Sequence, residues 1–246
     1  MAQVATEANV LRTYNLGEAD RIVVCLTRGA GLVRAVARGA RRMKSKFGAA
    51  LEPFTLVNLT FYEKENRELV TIDQTEILKS RFHLAGSEEA TSALAYVGEM
   101  VMQFAPPHEV NDKLFRMVTA CVETISERPR SLEPVLRYFD IWMLRLAGFL
   151  PDFTHCADCG RPFTDGAYLS TELTARCGAC SEDARRSLLP GTIERLAASR
   201  RLSPGDFARS SENLPDPCRK QLAQLTERLV ARVLERPLRS ARFLHQ

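Results

Sequence analysis

Two tight cysteine pairs constrain this 246-residue chain more than any other feature. Cys156-Ala-Asp-Cys159 and Cys177-Gly-Ala-Cys180 are separated by 17 residues. Two sulfurs on one tight turn can reach a single ion, and two such turns supply four ligands in a tetrahedron, which suits zinc. Gly160 and Gly178 let the backbone bend beside the sulfurs. Four thiolates leave no open coordination position, so one structural Zn2+ on Cys156, Cys159, Cys177 and Cys180 is expected. His155 could compete as a ligand. A redox motif would need only one of the two pairs. The chain has seven cysteines. An odd number with this pairing fits a cytoplasmic metal-binding protein better than a disulfide framework. Cys25, Cys121 and Cys218 are scattered and read as core residues.

The hydrophobic period changes once along the chain. Up to residue 80 it is two. Ile22, Val24 and Leu26 alternate with Val23 and Cys25, and Val33, Ala35 and Ala37 share one face of a strand over Leu32–Arg38. Val57, Leu59 and Phe61 alternate with Asn58, Thr60 and Tyr62, and strands over 2–14 and 70–77 complete a set of five. Glycines and Pro53 punctuate them. This predicts a five-stranded antiparallel β-barrel over residues 1–80, of the OB-fold kind, although an SH3-like barrel or a split sheet would leave a similar pattern. From Ser87 the spacing is helical. Leu94, Val97, Val101 and Phe104 form one stripe before Pro106-Pro107. Asn111 caps a helix with Leu114, Val118, Cys121 and Ile125. Ser131 precedes another, with Val135, Phe139, Trp142 and Leu146. A short helix over 192–198 and a long one carrying Leu222, Leu225, Leu229 and Val233 follow the cysteines. The predicted class is therefore α+β, with a helical domain over 81–246 and the zinc module inserted at about 151–180.

Charge points to the ligand class. The chain is +4 overall, but residues 1–80 carry +3, residues 81–180 carry −4 and residues 181–246 carry +5. Arg28, Arg34, Arg38, Arg41, Arg42, Lys44 and Lys46 lie within nineteen residues that contain no acid. Arg34 and Arg38 share a strand face, and Arg41, Arg42, Lys44 and Lys46 continue into a loop between Gly39 and Gly48. Such a surface suits a phosphate backbone. A solvated edge strand guarded by charge would look similar. Arg34, Arg38, Arg41, Arg42, Lys44 and Lys46 are the expected DNA-binding residues. Phe54, Phe61 and Tyr62 could stack on bases, but at least two of them are expected to fill the barrel.

Other classes recede. Gly39–Ser45 lacks both glycines that a phosphate-binding loop requires, so ATP binding is not supported. Neither H-E-x-x-H nor G-x-S-x-G occurs, and His83, His108, His155 and His245 pair with no nucleophile, so an enzyme is not expected. The longest apolar runs, such as Ile22–Leu26, are about five residues where a bilayer span needs ~20. No secretory signal is expected.

The residues also resemble a family. Gly17-Glu18-Ala19-Asp20-Arg21, Leu26-Thr27, Gly31-Leu32-Val33-Arg34, Ala37-Arg38-Gly39-Ala40-Arg41, Ser45 and Leu51-Glu52-Pro53-Phe54 look like the N-terminal signature of the bacterial RecO DNA repair family. Leu146-Ala147-Gly148-Phe149-Leu150-Pro151 resembles the stretch before that family's zinc cysteines, and Arg236-Pro237-Leu238-Arg239-Ser240 its C-terminal ending. Ala241-Arg242-Phe243 departs from the pattern, in which arginine follows the serine directly. The resemblance implies an OB-fold joined to a helical domain with a zinc module. It implies binding of single- and double-stranded DNA and ATP-independent annealing. It further implies work with RecR and single-stranded DNA-binding protein to load RecA, in the cytoplasm at the nucleoid. The alternative reading is a zinc-containing RNA-binding or adaptor protein of the transcription or translation machinery.

Overall fold

The structure is a computed structural model that describes residues 2–63, 69–163, 166–181, 187–234, 238 and 240. The chain forms two compact units, Met1–Ser126 with Leu238–Gln246, and Glu127–Pro237. Of the C-terminal signature only Leu238 and Ser240 are described; Arg236, Pro237, Arg239 and the departing Ala241-Arg242-Phe243 lie outside the described residues.

The first unit is built on β1 (Ala2–Leu16), β2 (Asp20–Thr27), β3 (Gly31–Ala37), β4 (Leu56–Glu63) and β5 (Leu69–Lys79). They close into a barrel in the order β1-β2-β3-β5-β4, with β4 returning to β1. This is the connectivity of an OB-fold. Four of the ladders are antiparallel as expected, but β3 and β5 run parallel. Directions cannot alternate all the way round a closed ring of five strands, so one neighbouring pair must be parallel. β1 serves two partners. Its first half pairs with β4 and its second with β2, and a bulge between Val10 and Arg12 lets it bend round the barrel.

One side of each strand fills the barrel. Val10, Val23, Cys25, Val33, Ala35, Ala37, Val57, Leu59, Phe61, Val70 and Ile72 form the core, which Phe47, Ala50 and Leu51 close from the loop after β3. The alanines on β3 are small enough for the taper of a small barrel. Burial pushes the Cys25 thiol up to about 12, so it behaves as an apolar side chain. Val24, Leu26 and Leu32, on the other side of their strands, are buried as well. This explains why β2 reads as a continuous apolar run rather than a clean alternation.

The outer surface of the barrel carries α1 (Glu88–Phe104) and α2 (Asp112–Glu127). Ser87 caps α1 by accepting from Ala90 N–H, and the side chain of Asn111 accepts from Leu114 N–H at the start of α2. Gly98 lets α1 approach the barrel closely, since a Cβ there would lie 3.3 Å from the Phe54 ring and 3.4 Å from the Leu11 carbonyl. The buried amide of Asn9 donates to Thr119 of α2 at 2.7 Å. Phe54 is buried with a positive φ of 63°. Its N–H bonds the Val10 carbonyl, and its own carbonyl accepts from the buried Arg81 at 2.8 Å.

In the second unit α3 (Leu132–Leu146), α4 (Pro190–Ala198), α5 (Pro204–Ser211) and α6 (Asp216–Val233) pack together, with α5 and α6 against α3. The α3 stripe is wider than the spacing predicts. Val135, Leu136, Tyr138, Phe139, Ile141, Met143 and Leu144 are all buried, and so are Arg137 and Asp140. α5 falls outside the sequence expectation. It is too short to show a period, although Ser203-Pro204 followed by Asp206 is a helix start.

Candidate metal centre and nucleic-acid surface

Three short strands, β6 (Ala167–Leu169), β7 (Ala175–Arg176) and β8 (Ser187–Leu188), pair in the order β7-β6-β8 beside the two cysteine turns. The first turn is closed by Gly160 N–H to the Cys156 carbonyl at 2.9 Å, and Gly160 adopts a φ of +70°. The second is closed by Cys180 N–H to the Cys177 carbonyl at 3.0 Å. Ala157 N–H donates to the Ala175 carbonyl, which joins the first turn to β7, and Asp158 pairs with Arg176 at 3.1 Å. Side-chain spacing thus becomes convergence through backbone hydrogen bonds.

The four sulfurs of Cys156, Cys159, Cys177 and Cys180 lie within 4.8 Å of one another, and Cys159 Sγ is 3.7 Å from Cys177 Sγ. A tetrahedron with metal–sulfur bonds of ~2.3 Å has edges of ~3.8 Å, so this spacing can hold one ion. No other group of three or more ligating side chains is found among the described residues. His155 stays outside the cluster and is held by Thr154 and Asp152. The electrostatics divide the four thiols. Backbone N–H groups of Cys159 and then Cys177 lower the Cys156 thiol to about 6. Hydrogen bonds with Cys177 and Cys159 raise Cys180 to about 12. Arg161 hydrogen-bonds Cys159, and the thiolates hold its pKa up. Spacing rules single out ligands, so this neighbouring cation goes unread in the sequence although it follows Gly160 directly.

The basic residues divide by what they touch. Arg34 points outward from β3 between the buried Val33 and Ala35. β3 ends at Ala37, so Arg38 opens the loop, and Arg38, Arg41, Arg42, Lys44 and Lys46 are all exposed, as is Met43 at the tip. Arg41 is tethered: its Nη1 donates to the Gly17 carbonyl at 2.7 Å and its N–H to the Ala19 carbonyl. Lys46 donates to the Asp73 carbonyl and lies 5.3 Å over the Phe47 ring. Arg34, Arg38, Arg42 and Lys44 have no ion-pair partner among the described residues. Arg28, which belongs to the same run in sequence, is occupied by Glu7 at 3.0 Å and Asp112 at 2.9 Å. Of the aromatic residues, Phe61 lies in the barrel core and Phe54 is buried, while Tyr62 is half-buried with its hydroxyl near Asp73.

The family model for the recombination protein O N terminal matches residues 1–81, and that for the recombination protein O C terminal matches residues 87–242. The chain belongs to the RecO family. It is 34% identical to the DNA repair protein RecO of Koribacter versatilis (strain Ellin345), over 95% of this chain and 93% of that protein. It is 32% identical to the DNA repair protein RecO of Anaeromyxobacter sp. (strain K), over 100% and 97%, and to that of Nocardioides sp. (strain ATCC BAA-499 / JS614), over 98% of each. Membership and the names of these relatives place the chain in DNA repair and recombination. The two RecO models meet where the barrel strands end, whereas the compact units divide at 126/127, because α1 and α2 pack with the barrel. Among the described residues no helix is long and apolar enough to cross a membrane.

Proposed function

We propose that this chain is a recombination mediator that acts by binding rather than by turnover. It binds single- and double-stranded DNA and anneals complementary strands without ATP. With RecR it helps load RecA on single strands coated by single-stranded DNA-binding protein, in the cytoplasm at the nucleoid. The observation that carries the reading is the set of Arg34 on β3 and Arg38, Arg42 and Lys44 in the loop after it, exposed on an OB-type barrel and without acidic partners among the described residues. Two DNA strands repel through their phosphates. A surface that neutralises both lowers that repulsion and lets base pairing proceed, with no chemical step for ATP to drive. Arg41 and Lys46 border the same surface and hold its loop in shape, so they contribute charge and geometry together. The cysteine cluster holds one Zn2+ as a structural tetrathiolate, and Arg161 offsets part of its negative charge.

The test is annealing of two complementary oligonucleotides without ATP at low and high salt. Native protein is compared with a variant in which Arg38, Arg42 and Lys44 are changed to Ala. Salt-sensitive annealing that the variant loses, with its metal content and circular dichroism unchanged, is the expected result. Annealing that survives the substitutions would overturn the assignment to the barrel. No annealing by native protein, with a preference for RNA over DNA, would overturn the mediator reading itself.

A further inference from the structure

The second unit holds a guanidinium that the described residues do not fully satisfy. Arg145 sits in the last turn of α3, with its guanidinium 4.7 Å over the Trp142 ring. Nη2 donates to Ser199 Oγ at 3.0 Å. Nε and Nη1 are enclosed and have no hydrogen-bond partner among the described residues. Trp142 is fixed alongside, its Nε1 donating to the Ser199 carbonyl at 2.9 Å. Arg200, exposed and directly after Ser199, adds a second positive charge. Burial first, and then repulsion from Arg200, lower the Arg145 pKa to about 10. Neither arginine has an ion-pair partner among the described residues.

This arrangement costs free energy in the free protein. Enclosed N–H groups without acceptors lose their water and gain nothing, and two guanidiniums repel. An anion with several oxygens beside the two arginines would offset their repulsion, and guanidinium groups suit phosphate. The half-buried indole beside them adds an aromatic surface of the sort that single strands use together with basic residues. The residues after the cysteine module, 181–246, carry a net charge of +5, which favours a polyanion over a lone ion. We propose that Arg145 and Arg200, beside Trp142, form a phosphate-binding site for a nucleic-acid strand on the second unit, additional to the basic surface of the barrel. The strand's class as DNA rests on the function proposed above.

Trp142 is the only tryptophan of the chain, so its emission reports this spot alone. The experiment titrates full-length protein with an oligothymidylate and follows two signals, anisotropy of a labelled strand and emission of Trp142. A change in Trp142 emission at the concentration where anisotropy rises is expected. Arg200→Ala, an exposed substitution, should abolish that emission change and reduce the salt slope of binding by ~0.7, the value for one phosphate contact on a single strand. Arg145→Gln should do the same with the circular dichroism retained. The barrel variant should keep the emission change at weaker affinity. Binding by anisotropy with no change at Trp142, or an Arg200→Ala variant indistinguishable from native, would overturn the site while leaving the function intact. No anisotropy change at all would overturn the DNA reading. A Trp142 response to an oligoglutamate peptide but not to the oligonucleotide would overturn the ligand class.

Discussion

The salt dependence of DNA binding turns the basic surface into a number. Arg34, Arg38, Arg42 and Lys44 are exposed without ion-pair partners among the described residues, whereas Arg41 and Lys46 are tethered through hydrogen bonds to backbone carbonyls. Each phosphate neutralised on a single strand releases counterions and contributes ~0.7 to the slope of log K against log salt, so four contacts give about −2.8 and six about −4.2. Changing Arg38, Arg42 and Lys44 to Ala removes three contacts and should flatten the slope by ~2.1. Between ~50 and ~200 mM salt, four contacts correspond to a loss of affinity of about 50-fold, and the one that remains to about threefold. The difference between the two proteins is the decisive quantity, because phosphate contacts elsewhere shift both slopes equally. Anisotropy of a labelled oligonucleotide across a salt series measures it. A variant whose slope stays within ~0.5 of native would refute the argument, since three lost contacts cannot leave counterion release unchanged.

Three further outcomes follow from the fold. Gly31→Ala should destabilise the first unit by at least ~1–2 kcal/mol, from the left-handed conformation alone. Its φ is +68° and a Cβ would lie 2.3 Å from the Glu109 carbonyl oxygen, so an unchanged urea midpoint would contradict the packing of this turn. Removal of metal by a chelator, or Cys156→Ser, should lower the melting temperature, and an unchanged value in both cases would count against a structural ion. Asp206 accepts from the Ser203 hydroxyl at 2.6 Å, which holds its pKa below the usual carboxylate range. Its contribution is therefore present above the unfolded-state value of ~3.9 and is lost as pH falls through the lower folded value. The stability gap between native protein and Asp206→Asn should close with falling pH, and a gap that widens in acid would refute the sign.

Much of this protein is legible one segment at a time. The period-two runs up to residue 80, the caps at Ser87 and Asn111 and the two C-x-x-C turns are local patterns whose cause and consequence lie within a few residues, so the barrel strands, the longer helices and the two cysteine turns follow from the residues alone. What the order of residues does not contain is which surfaces meet. The parallel β3–β5 pair arises from closing five strands into a ring. Val24 and Leu26 are buried on the far side of β2, and α1 and α2 carry the first compact unit past residue 80 to Ser126. Arg28 and Arg34 look alike in the basic run, yet the first is taken by Glu7 and Asp112 and the second is left unpaired among the described residues. Arg145 gives no signal in sequence at all, because an enclosed guanidinium is defined by what fails to reach it. Spacing determines what each element can be. Long-range contact determines which charges remain available for a ligand, because burial and pairing are properties of neighbours brought together from distant parts of the chain.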